Sequence, residues 1–159
     1  MTIKVGDRLP DANFMTPTAE GPKPVSTQDV FGGKRVALFA VPGAFTPTCD
    51  ARHLPGFREH AGDFRARGVD LIACTAVNDV FVLKAWAKAS DAGDIKMLAD
   101  GNGAFAKALG LELDGSKFGM GPRSQRYSML VRDGVVESLN VEEGGAFEVS
   151  SADYLLQHM

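Results

Sequence analysis

The chain has 159 residues, of which 45% are hydrophobic and 23% are charged, and its formal net charge is -3. This composition is typical of a soluble globular domain and argues against intrinsic disorder, so we expect residues 1–159 to form a single domain. The mildly acidic balance argues against nucleic acid as a partner, and no apolar run is long enough to span a membrane. No apolar segment follows a basic start, and two cysteines cannot build a disulfide scaffold, which together predict a reducing, cytoplasmic setting.

The first part of the chain is rich in turn-forming residues. Glycine and proline interrupt it repeatedly, so it predicts short edge strands at 12–16 and 24–27 and no long helix. A continuous apolar run follows at 36–41, which indicates a strand that is buried on both faces. Pro42 and Gly43 end this strand.

The segment after Gly43 predicts a helix that continues to Arg67. Thr46 can cap its start, and Pro47 suits the first helical position because proline has no N–H to satisfy there. The Pro55-Gly56 pair predicts a kink or break, since a proline inside a helix removes one backbone hydrogen bond.

The rest of the chain alternates strands and helices. The apolar patterns predict a strand at 69–77, a helix at 79–89, a short strand at 95–98, a small helix at 103–109 and a serine-capped helix at 150–157. Asp133-Gly134 predicts a tight hairpin between strands at 127–131 and 135–141. This order indicates a parallel α/β sheet with an antiparallel hairpin at one side, which suits a thioredoxin-like sheet and also a flavodoxin-like one.

Cys49 stands where an open α/β sheet places its functional sites. It follows the carboxyl end of a buried strand and falls in the first turn of the next helix, where free N–H groups stabilise a thiolate. The carboxylate of Asp50 would oppose a thiolate if it turned toward the sulfur. Cys49 is thus either a reactive thiolate or a small buried side chain, which is the commoner role of a free cysteine.

Several chemistries are open to a single thiolate. A dithiol reductase is excluded because Thr46 and Arg52 occupy the positions where its second cysteine would stand. A cysteine hydrolase would use His53 as its base, although a lone histidine on a helix is more often structural. The histidines, cysteines and glycine pairs lack the spacing of a zinc site or a phosphate-binding loop, so we expect no metal and no cofactor.

Peroxide reduction is the fourth chemistry. A thiolate attacks one peroxide oxygen and becomes a sulfenic acid, which requires hydrogen-bond donors around both oxygens and shielding from bulk water. The Thr46 hydroxyl can donate, Pro42 can form a wall of the pocket, and an arginine must come from elsewhere in the chain.

The residues around Cys49 resemble the PxxxTxxC motif of the peroxiredoxins, in the PGAFTPTC form of the type II subfamily, also called atypical or glutaredoxin-coupled. Further matching segments follow in the same order, namely HLPGF at 53–57, AVND at 76–79, MLAD at 97–100 and RSQRY at 123–127. The resemblance covers most of residues 3–157. It implies a thioredoxin-like α/β fold with a central mixed sheet flanked by helices.

The resemblance also implies roles for individual residues. Cys49 is similar to the cysteine that attacks hydrogen peroxide or an alkyl hydroperoxide, Thr46 to the residue that hydrogen-bonds the peroxide, and Pro42 to the one that shields the sulfur. Arg126 resembles the active-site arginine, with Arg123 as the rival cation.

Cys49 could be regenerated by a second cysteine of the chain or by an external thiol. Some relatives carry a resolving cysteine near the C-terminus, but residues 146–151 contain none. Cys74 is the other candidate, although its place in the middle of an apolar strand predicts that it is buried and too rigid to reach Cys49. We therefore expect an external thiol, namely glutathione, a glutaredoxin or a thioredoxin, to reduce the sulfenic acid.

The resemblance further implies a homodimer, with four residues near the site entrance or the dimer face: Phe45, His53, Leu54 and Phe57. Trp86 and the other aromatic residues are expected in the core. The alternative function is a non-catalytic redox sensor that docks a partner protein when Cys49 is oxidised. A sensor oxidises once and stops, whereas an enzyme cycles with added reductant.

Overall fold

The computed structural model describes residues 2–159 and contains a seven-stranded mixed sheet. Its strands are β1 Asn13–Thr18, β2 Gly21–Ser26, β3 Arg35–Ala40, β4 Leu71–Ala76, β5 Lys96–Ala99, β8 Tyr127–Arg132 and β9 Val135–Val141. The strand order is β2-β1-β5-β4-β3-β8-β9. Strands β3, β4 and β5 are parallel, whereas β8 is antiparallel to β3 and β1 is antiparallel to β5. The expected α/β fold with a central mixed sheet is confirmed.

Six short α-helices accompany the sheet within the described residues. They are α1 Thr27–Phe31, α2 Leu54–Glu59, α3 Ala61–Ala66, α4 Val80–Ala89, α5 Ala104–Leu109 and α6 Ala152–Gln157. Asp79 caps α4 by accepting from the N–H of Val82, and Ser151 caps α6 by accepting from the N–H of Tyr154. Among the described residues, every helix is too short or too polar to cross a bilayer.

Strand β3 lies at the centre of the sheet and is buried on both faces, as its unbroken apolar sequence predicts. Successive side chains point to opposite faces, so Phe39 belongs to the core that contains Cys49, whereas Leu38 belongs to the core on the other face. Cys74 pairs with Phe39 across the β3–β4 ladder and lies in the same core as Cys49. The loop that leads to Cys49 therefore starts from the central strand of the sheet.

The helix after β3 differs from the predicted one. Residues 47 and 48 are α-helical, Cys49–His53 forms a π-helical turn, and the helix breaks at His60 rather than at Pro55-Gly56. In the π-turn, the N–H of Leu54 donates to the carbonyl of Cys49, five residues earlier. Because Pro55 has no N–H to continue the α-helical pattern, the wider turn before it lets the helix continue through the proline.

The connections contain elements that the sequence pattern missed. Helix α1 occupies the turn-rich region, and a separate two-stranded sheet pairs β6 Glu112–Asp114 with β7 Pro122–Ser124. The predicted hairpin at Asp133-Gly134 is confirmed, since both residues have positive φ values of 47° and 79°, as a tight two-residue turn requires.

The four residues expected near the site entrance or a dimer face differ in exposure. His53, Leu54 and Phe57 are fully buried, so these three residues cannot form a dimer face. Leu54 and Phe57 lie on α2 and pack into the core on one face of β3, where the Phe57 ring stacks on Phe39 with 4.3 Å between the ring centroids. Phe45 is the exception, with 51% of its surface exposed.

Candidate active site

A tight loop joins β3 to the helix that carries Cys49. The N–H of Ala44 donates to Asn78 Oδ1 at 2.9 Å, which fastens the loop to the segment before α4. Gly43 has little room for a side chain, because a Cβ there would lie 3.2 Å from both Arg123 Nη1 and Thr46 Cγ2, and these side chains would have to shift. Phe45 adopts a φ of 65°, a left-handed conformation that costs a residue with a side chain about 1–3 kcal/mol.

The Cys49 sulfur has two hydrogen-bond partners. Thr46 Oγ1 lies 2.8 Å from Sγ, and Arg126 Nη2 donates to Sγ at 3.0 Å. Thr46 Oγ1 also lies 2.7 Å from the carbonyl oxygen of Gly43, and its single hydrogen can be donated to only one of the two. When Cys49 is a thiolate, the sulfur is the charged acceptor, so the hydroxyl hydrogen turns to it.

Thr46 does not cap the helix in the predicted way. Its backbone carbonyl accepts from the N–H of Asp50 at 2.9 Å, which marks the helix start, but its hydroxyl contacts Gly43 and Cys49. The half-buried Pro42 lies at the beginning of the same loop, two residues after the end of β3. The two residues predicted to flank the sulfur thus belong to one short connection.

The two candidate arginines have different positions. Arg126 reaches the sulfur from the segment before β8, which lies beside β3 in the sheet. Arg123 lies on β7 and its Nε donates to the carbonyl of Met120 at 3.0 Å. Arg126 is therefore the arginine that contacts Cys49, whereas Arg123 supports the turn beside Gly43.

His53 is buried behind Arg126. Its Nδ1 lies 2.9 Å from Arg126 Nη1, and its Nε2 lies 2.9 Å from the carbonyl oxygen of Ser150. Because Arg126 can only donate, Nδ1 must accept, so the hydrogen is on Nε2 and is donated to Ser150. Burial, with the nearby Arg126 charge, lowers the pKa of His53 to about 3, so the ring is neutral.

This arrangement argues against the cysteine hydrolase considered above. Both ring nitrogens of His53 are engaged, one by Arg126 and one by Ser150, and the sulfur is not among their partners. A general base for Cys49 would have to lie within hydrogen-bond reach of the sulfur. His53 instead orients Arg126.

The ring of Phe147 packs against the guanidinium groups of Arg52 and Arg126. Its ring centroid lies 4.7 Å from Arg52 Cζ and 5.9 Å from Arg126 Cζ, and the ring meets His53 edge-on at 5.1 Å. Neither Phe147 nor Ser150 was singled out from the sequence. No motif marks them, because their role depends on how the 143–150 loop folds back on the helix.

Asp50 is held away from the sulfur by α4. Its Oδ1 accepts from Trp86 Nε1 at 2.9 Å and from the Ser90 hydroxyl at 3.2 Å. Trp86 is fully buried, as expected, but it also fastens the residue next to Cys49. The Asp50 carboxylate therefore binds Trp86 and Ser90 instead of turning toward Cys49.

Cys74 is fully buried in β4, between Phe39 of β3 and Met97 of β5. Burial, together with the nearby Cys49, raises the pKa of the Cys74 thiol well above its ordinary value. It is therefore protonated and unreactive in this conformation. Within residues 2–159, no cluster of three His, Cys, Asp or Glu side chains could hold a metal ion.

Comparisons with known proteins agree with this geometry. The Redoxin family model matches residues 4–156. Peroxiredoxin-2E-2, chloroplastic, of Oryza sativa subsp. japonica is 51% identical over 162 residues, which cover 98% of this chain and 72% of the relative. Peroxiredoxin-2B of Arabidopsis thaliana is 46% identical over 157 residues, which cover 98% of this chain and 97% of the relative.

A solved structure extends the likeness to the fold. Reduced Prx3 of Vibrio vulnificus in complex with H₂O₂ superposes with a TM-score of 0.96 at 52% identity, and the match covers 99% of both chains. Family model, sequence relatives and solved structure agree along nearly the whole length, including the segments that bear Cys49, Thr46 and Arg126. The chain belongs to the redoxin family, among the type II peroxiredoxins.

Proposed function

We propose that this chain is a thiol-dependent peroxidase that reduces hydrogen peroxide and alkyl hydroperoxides through a sulfenic acid on Cys49. One observation carries the proposal: the Cys49 sulfur has a fixed cation at 3.0 Å and a hydroxyl at 2.8 Å. A permanent positive charge stabilises a thiolate, and both groups can donate to peroxide oxygens. The peroxiredoxin relatives support the same chemistry.

In the first step, the Cys49 thiolate attacks the nearer peroxide oxygen. A sulfur–oxygen bond forms, the O–O bond breaks, and the farther oxygen leaves as hydroxide or alkoxide and takes a proton from solvent. Arg126 and Thr46 stabilise the charge that develops on the leaving oxygen. Pro42, at the start of the loop, limits the access of water to the sulfur.

In the second step, an external thiol attacks the sulfenic sulfur, releasing water and leaving a mixed disulfide. A second thiol then attacks the donor's sulfur of that disulfide and frees Cys49 as thiolate. The burial of Cys74 supports an external donor, since Cys74 would have to leave the sheet to reach Cys49. We propose glutathione, a glutaredoxin or a thioredoxin as that donor, in the cytoplasm, where such thiols keep cysteines reduced.

We also propose that two copies of the chain form a homodimer. Three exposed phenylalanines lie on the site loop or on segments next to it, with exposed fractions of 51% for Phe45, 69% for Phe81 and 82% for Phe118. The loop bearing Phe45 is hydrogen-bonded to Asn78, just before α4, and Gly43 lies beside Met120, close to Phe118. Exposed apolar side chains on segments that meet at one loop favour a protein interface.

The test is rapid-mixing oxidation of reduced protein by one equivalent of hydrogen peroxide, followed by Trp86 fluorescence and by intact mass. We expect oxidation orders of magnitude faster than that of free cysteine, and a mass gain of one oxygen. Cys49→Ser should abolish the reaction, whereas Cys74→Ser should leave the rate and the mass gain unchanged. Peroxide consumption that survives in Cys49→Ser would refute the assignment.

A second assay separates an enzyme from a redox sensor. Repeated turnover is measured by coupling to NADPH oxidation, with glutathione and glutaredoxin in one series and thioredoxin with its reductase in another. An enzyme cycles in at least one series, while a sensor consumes a single equivalent of peroxide in both. A disulfide between Cys49 and Cys74, lost in Cys74→Ser, would contradict the external donor.

A further inference from the structure

Glu142 is a buried carboxylate without a positively charged partner. Only 5% of its surface is exposed, and none of the ion pairs within residues 2–159 includes it. A buried carboxylate is costly unless hydrogen bonds satisfy it. Here, four donors converge on one oxygen.

These donors come from the end of the 143–150 loop, which contains no helix or strand. Oε2 of Glu142 accepts from the backbone N–H groups of Glu148, Val149 and Ser150 at 2.8–2.9 Å, and from the Ser150 hydroxyl at 2.6 Å. The three N–H groups can only donate, so this oxygen accepts from all of them. The carboxylate therefore draws the loop back onto the end of β9.

Ser150 connects this cluster to the site. Its N–H and its hydroxyl both bind Glu142, and its carbonyl oxygen accepts from His53 Nε2 at 2.9 Å. The acceptor at Nε2 keeps the hydrogen on that nitrogen, which leaves Nδ1 free to accept from Arg126. The orientation of Ser150 thus selects the tautomer of His53 that can hold the arginine.

The backbone of Glu142 faces the same arginine. Its N–H donates to the carbonyl of Arg126 at 3.0 Å, extending the β8–β9 ladder by one bond. The loop that Glu142 closes also carries Phe147, whose ring packs against His53. Glu142 therefore constrains Arg126 at its main chain and, through Ser150 and His53, at its guanidinium.

We propose that Glu142 is a positioning residue for the peroxidase reaction: it folds the 143–150 loop so that Ser150 holds His53 and His53 holds Arg126 against the Cys49 sulfur. This inference rests on the proposed function, since it assigns Arg126 to that reaction. Glu142 touches neither the sulfur nor the peroxide site directly. It acts only through the chain of hydrogen bonds from Ser150 to His53 to Arg126.

The test compares Glu142→Ala and Glu142→Gln with the matched control Glu143→Ala, whose exposed side chain lies one residue further along. The readouts are the rate constant of Cys49 oxidation per titrated thiol and the fraction of thiolate from its ultraviolet absorbance at neutral pH. We expect Glu142→Ala to slow oxidation about 10- to 100-fold and to lower the thiolate fraction, because a small displacement of a positioned group has effects of this size. Glu142→Gln keeps one oxygen acceptor and should recover part of the rate, and Glu143→Ala should match the wild type.

Both substitutions are repeated in an Arg126→Ala background. If Glu142 acts through Arg126, Glu142→Ala and Glu142→Gln cause no further loss there. Equal losses in both backgrounds, or a folded Glu142→Ala protein that reacts at the wild-type rate, would overturn the inference. If Glu142→Ala does not fold, the rates of Glu142→Gln in the wild-type and Arg126→Ala backgrounds decide whether Glu142 acts through Arg126. A wild-type protein that fails to react with peroxide would refute the proposed function instead.

Discussion

Arg126 Nη2 lies 3.0 Å from the Cys49 sulfur, although the two residues are 77 positions apart in the chain. The contact exists because β8 pairs with β3 in an antiparallel register that places Tyr127 opposite Ala40, so the residue before β8 meets the loop after β3. The sheet thus brings a fixed charge to the sulfur without any sequence proximity.

We expect Arg126→Ala to slow Cys49 oxidation by hydrogen peroxide about 100-fold or more, because removing one donor from a site of developing negative charge has effects of this order. Arg126→Lys should recover only part of the rate, since an ammonium cannot contact His53 and the sulfur with the same fork. The measurement is the rapid-mixing rate constant. Arg123→Ala is the control and should react like the wild type; a loss as large as that of Arg126→Ala would contradict the assignment.

Substitutions of Thr46 test the role of its hydroxyl in peroxide reduction without changing the charge of the site. Thr46→Val preserves the shape of the side chain but removes the donor 2.8 Å from the sulfur, so it should slow oxidation by about 10- to 100-fold. Thr46→Ser keeps the hydroxyl and should retain most of the activity. Equal rates in the two variants would show that the hydroxyl does not take part.

Substitutions of Asp50 test the hydrogen bond between its carboxylate and Trp86. Asp50→Asn removes the charge but keeps an oxygen that can accept from Trp86 Nε1, so both the oxidation rate and the Trp86 emission should stay close to those of the wild type. Asp50→Ala leaves the buried indole N–H without its partner, which should lower the free energy of unfolding by about 1–3 kcal/mol. Urea unfolding measures that loss. A marked acceleration of oxidation in Asp50→Asn would mean that the carboxylate opposes the thiolate.

His53 makes the stability of the protein depend on pH. Its pKa is about 3 in the folded protein and 6.5 when unperturbed, so between these values the unfolded chain binds a proton that the folded chain does not. The free energy of unfolding should therefore fall as the pH drops from about 6.5 toward 3, by up to about 1.4 kcal/mol per pH unit from this group. Urea unfolding at several pH values should give a shallower dependence for His53→Gln than for the wild type. The exposed His158→Gln is the control, and identical slopes for His53→Gln and the wild type would contradict the prediction.

The homodimer is tested by sedimentation of the wild type and of Phe118→Ser. Phe118 has 82% of its surface exposed, so its replacement should not disturb the fold but should weaken an interface that covers it. Val5→Ser is the control, because Val5 is also exposed, at 58%, on the N-terminal segment next to β9. A monomeric wild type, or a Phe118→Ser protein that associates as strongly as the wild type, would contradict the proposed interface.

Much of this protein can be derived from its sequence, because the signals involved are local. The apolar run that forms β3, the Asp133-Gly134 turn and the loop from Pro42 to Cys49 depend on the conformations of neighbouring residues. The family motif names Arg126 even though nothing local distinguishes it from Arg123. These signals were sufficient to predict the mixed α/β sheet and the position of Cys49 in the helix start that follows its central strand.

The tertiary structure decided what depends on partners that are distant in the chain. Packing directs the side chain of Asp50 toward Trp86 and that of Arg123 toward Met120. Packing also buries Leu54 and Phe57. The π-turn at Cys49–His53 could not be read from the pattern, because it is an adjustment of the helix to Pro55 and to the core. Hydrogen bonds between remote segments leave no periodicity in a sequence, so only the folded chain reveals that Ser150 and Glu142 support His53.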